Sequence, residues 1–316
     1  MHKISCSFTN SKIINNDAIF FSFELFMQNN VLFGITLMVI TTFMFSSMDG
    51  VSRYLAEKNN VFTLVTMRYW FIAFVIMITC VFIKNRISDI LNTNQPYIQF
   101  SRGVILSLNN CLVVYTFTLL GLVETHAIIA CYPLIVAGLS VPFLGERFGW
   151  RRWMAIFTGF IGVIIILRPN TNVITEGSIF AIVGAIMFAV YLILTRYVSR
   201  SDTAITSFFW TGIGGTVTMS LISLFIWDNI LKEDYLWLLL MCVLSAGSHF
   251  MMVKTLQVAE ASVVQPFSYL QLVFGSIIGV TIFSESIDLM IIIGALVVIG
   301  SGLFTTWREY KIKHNI

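Results

Sequence analysis

The sequence predicts an all-α membrane protein, with ten transmembrane helices arranged as two inverted five-helix repeats. Three observations lead there. The 316 residues are 57% hydrophobic and 11% charged, where soluble chains carry roughly a quarter charged residues; the mean hydropathy is +0.87. The charges are spaced so that the stretches between them have the length of a bilayer crossing, about 20 helical residues. Finally, a block late in the first half of the chain resembles one late in the second. So little charge could not cover the surface of soluble domains of this size.

Taken in order, residues 1–30 form an N-terminal tail rich in Asn and Ser, with no compact apolar core and small-residue cleavage site of a signal peptide. Translation from Met27 is an alternative start, which N-terminal sequencing of native protein beginning at Met1 would reject. Charge-free runs then occupy 25–48, 69–83, 103–123, 125–145, 153–167, 177–195, 203–227, 235–253, 261–284 and 289–307. The two shortest runs, 69–83 and 153–167, gain a turn past their bounding Arg, because long cationic side chains snorkel. A first repeat is expected over 31–170 (spans 1–5), a second over 171–308 (spans 6–10), and a cytoplasmic tail over 309–316. Cys80, Cys111, Cys131 and Cys242 fall in apolar runs and Cys6 in the tail, so free thiols are expected rather than a disulfide framework.

Basic residues set the orientation. With both termini cytoplasmic, fourteen Lys and Arg fall inside, among them Arg86, Arg102, Arg147, Arg151, Arg152, Arg196 and Arg200. Only Arg53, Lys58, Arg168 and Lys232 fall outside, with Arg68 left in a span. That bias predicts a multi-pass membrane protein with its basic turns on the cytoplasmic side. The stretch PFLGERFGWRRW (142–153) is then a cytoplasmic turn between spans 4 and 5, its Trp150 and Trp153 suited to the headgroup level.

The two halves repeat each other. ETHAIIACYPLIVAGLSVPFLGERFGW and EASVVQPFSYLQLVFGSIIGVTIFSES each begin with an acid (Glu124, Glu260) and carry a second after an apolar helix (Glu146, Glu285); an Arg follows each (Arg168, Arg308). Five spans per half force the second copy upside down, the arrangement behind alternating access in many secondary transporters. PFLGERFGWRRWMAIFTGFIGVIIILRP resembles the end of the first EamA domain of the drug/metabolite transporter superfamily, and ASVVQPFSYLQLVFGSIIGVTIFSES the matching part of the second. DGVSRYLAEKNNVFTLVTMRYW and the RG of SRGVILSLNN are similar to its bacterial ten-helix members. The resemblance covers about residues 31–308. It implies an inner-membrane carrier with a central cavity lined by both halves. The members it most resembles take up S-adenosylmethionine or riboflavin; amino-acid and drug carriers of the superfamily remain alternatives. Gln271 departs from the pattern, standing where Tyr132-Pro133 sits in the first half.

Polar groups inside spans mark the candidate site, since a charge there costs roughly 2.5 kcal/mol or more and turns to a cavity or partner. Asp49 and Arg68 should lie at similar depth on adjacent helices, either binding a charged substrate or ion, or pairing with each other. Asn109 and Asn110 point about 100° apart, so one is expected to face the cavity, with Tyr115 on the face of Asn109. Tyr132-Pro133 and Pro266 bend the two fourth helices of the repeats. Gln265, Tyr269 and Gln271 give span 9 a polar face. Tyr191 could stack on an aromatic ligand and His249 could contact substrate, whereas His126 is placed nearer the surface. Neither His has metal-ligand neighbours at ligand spacing, so no metal site is expected, and no cofactor. Gly275 and Gly279 suit helix packing. No Walker A loop, HExxH or nucleophile elbow occurs, so a carrier is expected rather than an enzyme. The expected partners are a small polar or zwitterionic metabolite and membrane lipid, without nucleic acid. A coupling ion or counter-substrate, and a monomer or homodimer, are left open.

Overall fold

The computed structural model describes residues 31–82, 91–144, 150–167, 175–198, 201–258 and 264–313. The N-terminal tail, Glu146, Arg147, Arg168 and Glu260 lie outside the described residues, as do the side chains of Arg151, Arg152, Gln265 and Arg308. Among the described residues every regular element is helical: α1 Val31–Ala56, α2 Val61–Phe82, α3 Pro96–Ile129, α4 Tyr132–Leu144, α5 Trp150–Leu167, α6 Glu176–Val198, α7 Ala204–Ile226, α8 Tyr235–Val258, α9 Leu270–Phe283 and α10 Leu289–Lys313, with 3₁₀ turns at Lys232–Asp234 and Gln265–Tyr269. In hydrocarbon a helix satisfies its own backbone, which is why apolar runs of this length take no other form. Large apolar side chains such as Phe157, Leu224, Phe225 and Leu236 stay exposed and meet lipid instead of water.

Contacts between turns show which ends lie together. At one end, Asn59 binds Asp234 (2.7 Å) and the Leu231 amide, while the Asp228 amide donates to Thr63. Glu285 accepts from the Leu122 and Val123 amides, both at 2.8 Å. At the other end, Thr93 and Gln99 donate to Asp202. Burial alone would raise the pKa of Asp202, but hydrogen bonds from Thr93, Gln99 and Ser201 outweigh it and hold the carboxyl below its usual range. The first end thus gathers turns 1–2, 3–4, 7–8 and 9–10, and the second gathers turns 2–3 and 6–7. Consequently α1 and α6 run in opposite directions, and the two halves are inverted.

The packing obeys the same symmetry. Helices α5 and α10 cross each other, as do α2 and α7; α3 packs on α6 as α8 packs on α1, and α4 on α6 as α9 on α1. At the α5–α10 crossing a Cβ on Gly162 would meet the Gly294 carbonyl at 2.8 Å, and one on Gly294 would meet that of Gly162 at 2.6 Å. Only glycine permits that approach.

Span 4 does not start at a loop. Gly121 breaks α3 at φ 81°, a conformation glycine adopts without penalty, and the chain reverses directly into the segment from Leu122. The amides freed by that break are those Glu285 accepts from, and Arg53 pairs with Glu285 while lying 4.2 Å over the Phe283 ring. One carboxylate therefore joins α1, span 4 and the end of span 9. Replacing Glu285 with Ala strands two buried amides, each costing about 1–3 kcal/mol. A melting temperature several degrees lower in detergent is expected, with a smaller drop for Glu285→Gln, which keeps one acceptor oxygen. An unchanged melt for Glu285→Ala contradicts the cap.

Candidate functional site

Both fourth helices are interrupted at mid-depth. In span 4, Ala130 and Cys131 form a turn between α3 and α4, where the Cys131 amide bonds the Ile128 carbonyl at 3.2 Å. Pro133 has no amide to continue the ladder, so the Ile129 carbonyl is released. In span 9, Pro266 opens a 3₁₀ turn over Gln265–Tyr269 before α9 begins. Such interruptions are tolerated where neighbours or a cavity can serve the freed groups.

A cavity lies there, between the halves, with about 780 Å³ of empty space counted together with its open mouth. Its walls include Asp49 and Phe45 from α1, Asn109 and Asn110 from α3, His126 and Tyr132 from span 4, Phe188 from α6, His249 from α8, and Tyr269 and Gln271 from span 9. Asp49 is 6% exposed. Gln271 donates to its Oδ2 at 3.2 Å, and His126 Nε2 stands 3.5 Å from the same oxygen. Asn110 donates to the Tyr69 hydroxyl at 2.9 Å. Three polar atoms of the wall, Asn109 Oδ1, His126 Nε2 and the Tyr269 hydroxyl, are buried without a hydrogen-bond partner. Buried polar atoms are nearly always satisfied, and three exceptions around one cavity suit a polar guest.

A second, narrower cavity continues toward the opposite end from Gly121. Phe45, Phe188 and His249 line both cavities and so form the partition between them. The Phe45 and His249 rings meet edge to face at 5.1 Å, and Phe188 is T-shaped on Tyr132 at 4.9 Å. Phe45 and Phe188 each sit near the middle of the first helix of their repeat.

The sequence-derived residues fall in several places. Asp49, Asn109, Asn110, Tyr132, His249, Tyr269 and Gln271 line the first cavity, and Tyr191 lines the second. Arg68 is buried behind the walls, with Nε and Nη2 unpartnered. Asp49 is met by His126 and Gln271 rather than by Arg68, because α8 and α9, not α2, are the main neighbours of α1. Both amides at 109–110 reach the cavity, against the expectation of one. Tyr115 does not: it is 42% exposed beside Phe180. It follows Asn109 by six positions, about 240° around the helix, and so turns away from that face. His126, expected nearer the surface, is 5% exposed, because the break at Gly121 sends span 4 directly into the protein. Its ring lies against Gly275, where a Cβ would stand 2.5 Å from Cδ2. Among the described residues no cluster of His, Cys, Asp and Glu is arranged for a metal ion; Cys111, Cys131 and Cys242 are free and buried.

The model of the EamA-like transporter family matches residues 32–168 and again 175–307. The chain belongs to the EamA-like transporter family. Among curated relatives, the S-adenosylmethionine uptake transporter of Rickettsia felis is 26% identical over 84% of this chain and 90% of its own length. Riboflavin transporters of Vibrio cholerae, 29% identical over 58% of this chain and 62% of theirs, and of Rhizobium johnstonii, 23% identical over 87% and 91%, also match. One crystal structure, 14% identical, superposes with a TM-score of 0.63 over 88% of this chain and 98% of that one, a likeness of fold. The EamA-like chain is thus a multi-pass membrane transporter, and its tandem match coincides with the two inverted halves.

Proposed function

We propose that this EamA-like protein takes up S-adenosylmethionine across the bacterial inner membrane by alternating access, with both termini cytoplasmic. The observation that carries the proposal is Asp49, a buried carboxylate on the wall of a cavity lined otherwise by rings, amides and apolar side chains. S-adenosylmethionine offers a sulfonium and an ammonium to that carboxylate. The faces of Phe45, Phe188, Tyr132 and Tyr269 suit the sulfonium through cation–π attraction. Amides at Asn109, Asn110 and Gln271 match the donor and acceptor edge of adenine. Arg68, close enough to act electrostatically on Asp49 and His249, gives one side of the cavity a positive potential for the substrate carboxylate. With the basic turns inside, the end closed by Glu285 faces outward. A substrate of net positive charge is then drawn in by the membrane potential, about 2.3 kcal/mol per charge for each 100 mV.

Riboflavin uptake is the second reading, favoured by the relatives of that name. Its flavin ring system would use the aromatic walls and amides but gains nothing from a desolvated carboxylate.

Uptake into proteoliposomes separates the two. Labelled S-adenosylmethionine is expected to enter saturably and faster under an inside-negative potential, and Asp49→Asn should cut the rate at least tenfold. Riboflavin flux without S-adenosylmethionine flux, or undiminished uptake by Asp49→Asn, contradicts the proposal.

A further inference from the structure

The second cavity contains a buried cation that the transport reading has not used. Arg102, on α3, is 1% exposed and lines this cavity beside Tyr191, Thr195, Ser207 and Thr211. Its Nε donates to Thr195 Oγ1 at 3.1 Å, Nη1 donates to Gln99 Oε1, and the guanidinium carbon lies 5.4 Å from the centre of the Tyr191 ring. These contacts fix the group without neutralising it. The nearest acid in the network is Asp202, which is joined to Arg102 through the neutral amide of Gln99 and otherwise acts on it only at a distance. Among the described residues no Asp or Glu lines the cavity. A cation taken out of water without a contacting counter-charge is costly, so the site favours an anionic guest.

We propose that this cavity is a second, carboxylate-taking subsite on the cytoplasmic side of the Phe45–Phe188–His249 partition. It receives the acid end of an amino-acid-like substrate before release. One positive charge set among the hydroxyls of Thr195, Ser207 and Thr211 matches a monoanion. A phosphate dianion would leave net negative charge in a low-dielectric chamber, which the same solvation argument disfavours. The first cavity, by contrast, presents a carboxylate. A zwitterion therefore meets a wall carboxylate in the first chamber and a wall guanidinium once it crosses the partition. The assignment rests on the protein being a carrier; its anion preference does not depend on S-adenosylmethionine being the cargo.

The full-length protein carrying Thr211→Cys, in inside-out proteoliposomes, tests this. Two thiol reagents of similar size are compared, a sulfonatoethyl and a trimethylammonioethyl methanethiosulfonate, each rate divided by its rate with a free thiol. The anionic reagent is expected to react at least tenfold faster than the cationic one, and Arg102→Met in the same background should abolish the preference. If Arg102→Met does not fold, the comparison with Arg102 intact decides alone. Equal rates, a cationic preference or no modification by either reagent overturns the subsite. S-adenosylmethionine should slow the modification, and its decarboxylated form should not. Equal protection by both overturns the carboxylate assignment. Anion preference without protection by S-adenosylmethionine rejects that cargo and leaves the subsite standing.

Discussion

A polar group in hydrocarbon has only the protein itself to turn to, and that constraint organises every informative feature of this molecule. It makes the spans helical. It accounts for Glu285, which serves two amides freed by the break at Gly121 and ties three spans at one end. It also makes the exceptions instructive. Where the two fourth helices are interrupted at mid-depth the structure has a cavity, and Asn109 Oδ1, His126 Nε2 and the Tyr269 hydroxyl lack partners on its wall.

The inverted repeat turns that constraint into a device. Because α1 and α6 point in opposite directions, equivalent side chains of the two halves converge near mid-membrane: Phe45 and Phe188 at the partition, Tyr132 and the 269–271 segment on the interrupted fourth helices. Each interrupted helix has lost part of its ladder and bends more cheaply there than an unbroken one. Under the proposed alternating access the softest points lie beside the cavities, and the close α5–α10 contact at Gly162 and Gly294 lies away from them.

Much of this was legible in the residue order. Charge spacing located the spans, basic residues suggested an orientation, and an odd span count implied inversion. Polar residues within apolar runs drew attention to Asp49, Asn109, Asn110 and Gln271, since the cost of burying them is independent of fold detail. What stayed hidden depends on rotation and on neighbours. Tyr115 has the right chemistry and the wrong angle. His126 reads in sequence as lying nearer the surface, and only the reversal at Gly121 brings it to Asp49. Arg102 reads in sequence as one more cytoplasmic positive charge, and a snorkelling side chain is indistinguishable there from a buried one. Phe45 and Phe188 are two of 28 phenylalanines, and composition cannot single them out.

The central claim is that two inverted halves enclose a polar chamber that holds the cargo. An experimental structure of the protein in lipid nanodiscs, saturated with S-adenosylmethionine, tests it most directly. The account predicts density for the molecule inside the chamber, its charged sulfur end against Asp49 and its rim touching Gln271 and Asn109. A chamber collapsed onto its own side chains, or ligand found only on the lipid-facing surface, would contradict it.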